Sequence, residues 1–129
     1  MSDGLTRHDV MAALEKRQPK IEPVELQEMG GPGHVREITP MDKDSFDIIM
    51  AGEDKSNWRA AFAVRVLCDE KGDRLFHDTD AAFIGQNASL VDLETLWDEG
   101  HRVSGIDRES MEEAEGNSDG AASGDSGSD

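Results

Sequence analysis

The side chains that could bind a metal or act as a catalytic base are scattered along this chain. No histidine has another His or a Cys three or four residues away, and the four of them lie in separate segments: His8, His34, His77 and His101. That spacing matters because residues three or four apart project from the same face of a helix and can share a metal ion. The sequence therefore predicts no metal site and no cofactor, and it predicts that the histidines are solvated.

Two loops look like ligand-binding loops but lack the residues that such loops need. In the acidic segment from Asp69 to Asp73, Lys71 stands third and Gly72 fourth, whereas a calcium-binding EF-hand loop requires glycine at its sixth position. The segment from Gly30 to Gly33 is rich in glycine, but no Gly-Lys-Ser/Thr follows it, as a phosphate-binding loop requires. Both segments are predicted to be turns, with Gly72 adopting a positive φ.

Nucleophilic catalysis has no candidate group of residues in this sequence. Cys68 is the single cysteine, so there is no internal disulfide framework, and it ends an apolar run that starts at Ala60, which predicts burial. The segment from His77 to Asp80 places carboxylates beside an imidazole, but helix capping by Asp78 or Thr79 explains it better. These observations predict a protein that is not an enzyme.

The charge distribution excludes some classes of partner. The 129 residues carry a net charge of −16. Residues 1–20 have four basic and three acidic side chains, whereas residues 21–106 have eight basic and eighteen acidic ones. No basic patch is present to bind phosphate backbones, so nucleic acid is not an expected partner. No apolar segment approaches the ~20 residues that span a membrane, and the N-terminus lacks a signal-peptide pattern, so we expect a cytoplasmic location.

The sequence divides the chain into three parts, and the helices and strands of these parts must position any site. Thr6 and Asp9 predict the start of an N-terminal helix or arm over residues 1–19. Residues 20–114 form the predicted domain. Residues 115–129 are a predicted disordered acidic Gly/Ser/Asp tail, because no side chain in residues 116–129 is more apolar than Ala. The small size of the domain favours a partner or a homo-oligomer.

The predicted fold class is α+β and predominantly helical, with a short β-hairpin packed on a bundle of about four helices. The hairpin strands are expected at Ile21–Leu26 and His34–Ile38, with Pro23 confining the first to an edge or a bulge. Capping and periodicity predict the helices: Pro40 to Ala51, Ser56 to Cys68, a short helix from Asp78 or Thr79, one after Ser89, and a weak one after Asp107.

Two tryptophans lie on the most apolar helical segments. Tryptophan is enriched at protein interfaces because it buries a large area with few rotamers. Core packing is the alternative explanation for such residues in a small domain. The predicted protein-binding residues are two from each of two helices: Trp58, Phe62, Leu93 and Trp97.

Four segments, in this order, resemble the tail assembly chaperones of long-tailed bacteriophages and related prophages. They are Val35–Thr39, Arg65–Phe76, the helix from Ser89 to His101, and Val103–Ile106 followed by an acidic Glu-rich segment. The family has a pattern like Leu-Asn-Gly-Leu in the last segment, where this chain has Val103 and Ser104 in the first half. The resemblance covers residues 20–116, so the N-terminal helix and the tail lie outside it.

The resemblance implies a chaperone without catalytic activity. Members of this family bind the tape measure protein, keep it soluble and help to recruit tail tube subunits. The implied partners are thus the tape measure protein and the tail tube protein, and the implied location is the host cytoplasm, with absence from the mature virion. Two other functions stay open: another tail or head–tail structural component, or an acidic DNA mimic that inhibits a nucleic-acid enzyme.

Overall fold

The computed structural model describes residues 4–53 and 56–106. It confirms an α+β fold in which helices predominate. The elements in chain order are α1 (Arg7–Lys16), β1 (Ile21–Val24), β2 (Gly33–Arg36), α2 (Pro40–Ala51), α3 (Trp58–Val66), β3 (Leu67–Cys68), a 3₁₀ turn (Asp78–Asp80), α4 (Ala81–Asn87) and α5 (Leu90–Val103). The predicted tail and the weak helix after Asp107 lie outside the described residues.

The β-hairpin is part of a three-stranded antiparallel sheet with the order β1-β2-β3. Pro23 lies on the edge strand β1, opposite His34, as its missing N–H requires. The third strand was not predicted, because Leu67 and Cys68 were assigned to the end of a helix. The helix ends at Val66 instead, and Leu67 has an extended backbone that pairs with Val35 on β2.

Helix α3 lies at the centre of the domain. All seven residues from Ala60 to Val66 are buried, and the helix packs against α2, α4 and α5. Small side chains allow these close approaches: a Cβ at Gly100 of α5 would lie 2.7 Å from the ring of Phe62. The hairpin packs on α5, so the predicted arrangement of hairpin on helices is the observed one.

The N-terminal helix α1 is separate from this core. Thr6 and Asp9 form the predicted capping box, in which the Thr6 hydroxyl accepts from the Asp9 N–H and the Asp9 carboxylate accepts from the Thr6 N–H. None of the ten residues of α1 is buried. An ion pair of 2.8 Å between Arg17 and Glu37 holds the end of this segment against the residue after β2.

A buried carboxylate joins α5 to the loop between β1 and β2. The Asp92 side chain is fully buried and accepts hydrogen bonds from the backbone N–H groups of Gln27, at 2.8 Å, and Glu28, at 2.9 Å. Ser89 caps the helix as predicted, by accepting from the Asp92 N–H. The Asp92 carboxylate therefore holds the hairpin loop against the start of α5.

A network of ion pairs joins β2, α2, α3 and the residues after β3. Asp42 binds Arg36 and Arg74, at 3.1 and 3.3 Å. Asp78 in turn binds Arg74 at 2.6 Å and the buried Arg65 at 3.2 Å. These arginines lower the pKa of Asp78, with the Arg74 hydrogen bond as the largest cause. The network fixes the chain that follows the sheet against the first turn of α2.

Candidate protein-binding surfaces

Three of the four predicted binding residues, Trp58, Phe62 and Trp97, lie together in one aromatic cluster between α3 and α5. The rings of Trp58 and Trp97 meet edge to face with centroids 4.7 Å apart, and Phe62 lies 4.9 Å from Trp97. Phe46 on α2 adds an edge contact to Phe62 at 5.4 Å. The fold thus brings three of the predicted residues into direct contact, and the fourth, Leu93, lies in the buried core.

The members of this cluster differ in what they present to the surface. Phe62 and Leu93 are 1% and 6% exposed, so both belong to the buried core. Trp58 and Trp97 are half-buried and contribute the outer edge. A charged pair completes this edge: the Arg59 guanidinium lies 4.3 Å over the Trp58 ring and binds Glu94. We call Trp58, Arg59, Glu94 and Trp97 the tryptophan edge. Its role in partner binding stays a prediction.

His101 corrects the expectation that the histidines are solvated. Its ring is 5% exposed and is stacked on Phe62 within the cluster. Burial is the main cause that lowers its pKa, and Lys43 acts in the same direction, while the hydrogen bond to the Trp97 carbonyl and the nearby Asp98 act against it. The sequence does carry a signal for this position, because His101 follows Trp97 by four residues on one helix face.

A second apolar surface was not predicted. A groove of about 320 Å³ opens between the hairpin loop, β3 and α4. Its apolar lining includes Leu26, Met29, Leu75, Phe76, Phe83 and Ile84. Leu75 and Phe83 are more than half exposed. Phe83 and Ile84 are neighbours on a helix of seven residues, so they project in different directions and only one can point to the core. That pattern could have indicated an exposed apolar residue.

The pKa shifts of two groups at the end of the sheet, Cys68 and Asp69, have local structural causes. Burial raises the pKa of the Cys68 thiol to about 11, which keeps it protonated at neutral pH. The Asp69 carboxylate accepts from backbone N–H groups of its own turn, which lower its pKa. Within residues 4–53 and 56–106, no group of three or more His, Cys, Asp or Glu side chains could hold a metal ion. No helix in these ranges is long and apolar enough to span a bilayer.

Fold and surfaces together define a small α+β protein that presents apolar side chains on separate surfaces. No protein-family model matches the sequence, and no curated protein matches it. Among solved structures, the chain is similar to the tail assembly chaperone of bacteriophage HK97, with a TM-score of 0.55 and 12% sequence identity. The match covers 73% of this chain and 96% of that one. The chain therefore shares its fold with a member of the family that the four sequence segments resemble.

Proposed function

We propose that this protein is a phage tail assembly chaperone that acts by binding and not by catalysis. The observation that carries the proposal is the shared fold with the HK97 chaperone over nearly the whole of that protein. The four sequence segments that resemble the chaperone family overlap β2, α3, β3 and α5 of this fold. In this proposal the protein binds the tape measure protein and the tail tube protein.

The surface chemistry is consistent with a chaperone for a long apolar helical protein. The half-buried tryptophan rings can bury additional apolar area on binding, and amphipathic aromatic rings with a neighbouring Arg are typical of interface hot spots. The net charge of −16 favours solubility of the complex. In this proposal the tryptophan edge contacts the client while the acidic remainder of the surface keeps the complex in solution.

Co-expression with a phage tape measure protein tests the proposal. We expect the soluble fraction of the tape measure protein to rise several-fold with the chaperone present. The variant Trp58→Ala should reduce that gain, because truncating a hot-spot aromatic residue costs about 2 kcal/mol or more of binding free energy. Met41→Ala, which truncates an exposed side chain on α2 outside the tryptophan edge, is the matched control. Circular dichroism of both variants separates a binding loss from unfolding.

Three outcomes contradict the proposal. No gain in solubility with either the tape measure protein or the tail tube protein removes its basis. Recovery of the protein in purified mature particles, measured by mass spectrometry, supports a structural tail component instead. Binding to a DNA-binding protein that disappears at high salt supports the DNA mimic, since apolar contacts persist in salt whereas exposed charge pairs are screened.

A further inference from the structure

An exposed leucine extends the tryptophan edge along α5. Leu90 is the first residue of this helix and is 61% exposed. It precedes Trp97 by seven residues, which is two helical turns, so the two side chains lie on one face about 10 Å apart along the axis. Glu94 lies between them on the same face, four residues after Leu90. The edge together with Leu90 therefore forms a row of apolar, acidic and apolar side chains.

This row has the geometry to receive a helix. Its side chains come from two helices packed against each other, Trp58 from α3 and the others from α5. Among the described residues, the strand edges belong to the sheet of β1, β2 and β3. An extended segment would thus find no strand here to satisfy its backbone N–H and C=O groups, whereas a helix satisfies its own. A helix laid along α5 would also present side chains at the seven-residue spacing of the row.

The charge of this surface favours a basic partner. Residues 90–100 contain four acidic side chains and no Lys or Arg. Asp92 is buried, but the Glu94 side chain is 41% exposed and Asp98 is exposed as well. Arg59, the cation beside them, is already bound to Glu94. Lysine or arginine side chains on the partner would therefore be attracted to the outer face of α5.

We propose that the tryptophan edge and Leu90 bind an amphipathic helix of the partner protein, in which Lys or Arg residues flank an aliphatic row. The aliphatic side chains pack against Leu90 and the rings of Trp58 and Trp97, and the basic side chains meet the carboxylates of α5. This binding mode rests on the proposed function for the identity of the client, the tape measure protein. It adds the chemistry of the segment that the client presents.

Synthetic peptides of about 18 residues, five helical turns, test this chemistry. The first peptide has leucines at positions i, i+3, i+4 and i+7 with flanking lysines. The second has glutamates in place of the lysines, and the third has the composition of the first in scrambled order. None contains tryptophan, so the fluorescence of Trp58 and Trp97, the two tryptophans of the chain, reports binding at the edge itself.

The lysine peptide should bind the full chain at least about tenfold more tightly than either of the other peptides. Its preference over the glutamate peptide should shrink as salt is added, because exposed charges are screened. Equal affinity for the lysine and glutamate peptides overturns the proposal, and so does equal affinity for the lysine and scrambled peptides.

Two pairs of surface variants locate the contact. Leu90→Gln should weaken binding of the lysine peptide by about tenfold or more, because the peptide loses an apolar contact. Val91→Gln is the matched control and should leave the affinity unchanged, since Val91 is 56% exposed but lies about 100° around the helix from Leu90. Glu94→Gln should reduce the preference for lysine over glutamate, whereas Glu70→Gln, at an exposed site in the turn after β3, should retain it. Equal effects within either pair contradict the proposed surface.

Co-expression separates this binding mode from the chaperone function itself. A gain in soluble tape measure protein that Leu90→Gln leaves intact contradicts the proposed surface and retains the chaperone function. Binding of the lysine peptide at the tryptophan edge, without a gain for any tail protein, removes the chaperone function and retains the proposed recognition of a basic amphipathic helix.

Discussion

The imidazole ring of His101 lies flat against the ring of Phe62, with 4.4 Å between the centroids and 11° between the planes. Trp97 contacts the same imidazole at 4.2 Å, and its backbone carbonyl oxygen lies 2.7 Å from Nδ1, which must donate. A neutral ring fits this apolar site, whereas a charged one loses hydration. The cluster of α3 and α5 therefore contains a group whose protonation opposes folding.

The stability of the protein should fall as the pH drops below about 6.5, the ordinary pKa of histidine. The pKa of His101 is lowered in the folded state, so the unfolded chain takes up a proton first and unfolding is favoured. The fall continues until the pH passes below the folded-state pKa. Urea unfolding at pH 7.5, 6.0 and 5.0 measures how the free energy of unfolding depends on pH. His101→Phe should reduce the slope, whereas His77→Gln, at an exposed site, should retain it.

This pH window is separate from that of the carboxylates. The pKa values of Glu37, Asp69 and Asp78 are lowered in the folded state, so their contributions are present at neutral pH and are lost only below about pH 4.5, as the unfolded chain becomes protonated. An equal slope for wild type and His101→Phe between pH 7.5 and 5.0 would contradict the assignment to His101.

Replacement of Asp92 by Asn should destabilise the protein by about 1–3 kcal/mol, the cost of leaving a buried hydrogen-bonding group unsatisfied. The carboxylate uses both oxygens to accept from Gln27 and Glu28, and an amide offers only one acceptor. Urea midpoints measure the effect. Asp44→Asn, on an exposed part of α2, is the control and should stay within about 0.5 kcal/mol of wild type. Equal midpoints for the two variants would show that the hydrogen bonds of Asp92 to the hairpin loop contribute little to stability.

Asp42→Ala should cost about 3 kcal/mol, because it removes the carboxylate that pairs with Arg36 and one of the two that pair with Arg74, and both arginines are half-buried. Arg36 is the more sensitive of the two, since its Nε is already buried without a hydrogen bond among the described residues. The control is Asp47→Ala, also on α2, which removes the exposed partner of Lys43. It should cost at most about 0.5 kcal/mol. Thermal unfolding of the two variants measures the difference in stability. A similar loss in both would argue against a stabilising role of the ion-pair network around Asp42.

Gly100→Ala should destabilise the protein although alanine favours helix by about 1 kcal/mol. The added methyl group would lie 2.7 Å from Phe62 and 3.2 Å from Val66, two buried side chains that cannot move aside freely. Gly52→Ala has an ordinary φ of −77° and its nearest contact is at 3.4 Å, so this control should be neutral or slightly stabilising. A more stable Gly100→Ala variant would mean that α5 can shift from α3.

Most helix starts could be predicted because they depend on residues close in sequence. Thr6, Thr39 and Ser89 each accept a hydrogen bond from a backbone N–H three residues later, and α1, α2 and α5 begin directly after them. The turn after β3 was predicted for the same reason, and Gly72 has a φ of +94°. The burial of Cys68 followed from its apolar neighbours.

The candidate surfaces were only partly predictable. The sequence grouped Trp58 with Trp97 because tryptophan is enriched at interfaces, but it could not tell that Phe62 and Leu93 are buried in the core. The groove beside Phe83 joins three segments that are distant along the chain, so no local pattern describes it. Strand β3 was missed because Leu67 and Cys68 continue an apolar helical pattern, whereas the partners that make the extended form favourable are β2 and the later segment at Arg74 and Leu75.

The sequence by itself determined the helix starts, the acidic charge, the turn at Gly72 and the order of segments that resembles the chaperone family. These are properties of neighbouring residues or of composition. Only the tertiary structure decided that Asp92 binds a loop more than sixty residues away, that His101 is buried, and that α1 stays exposed while a groove opens elsewhere. Each of these depends on contacts between distant segments, whose geometry is set by the packing of the whole core.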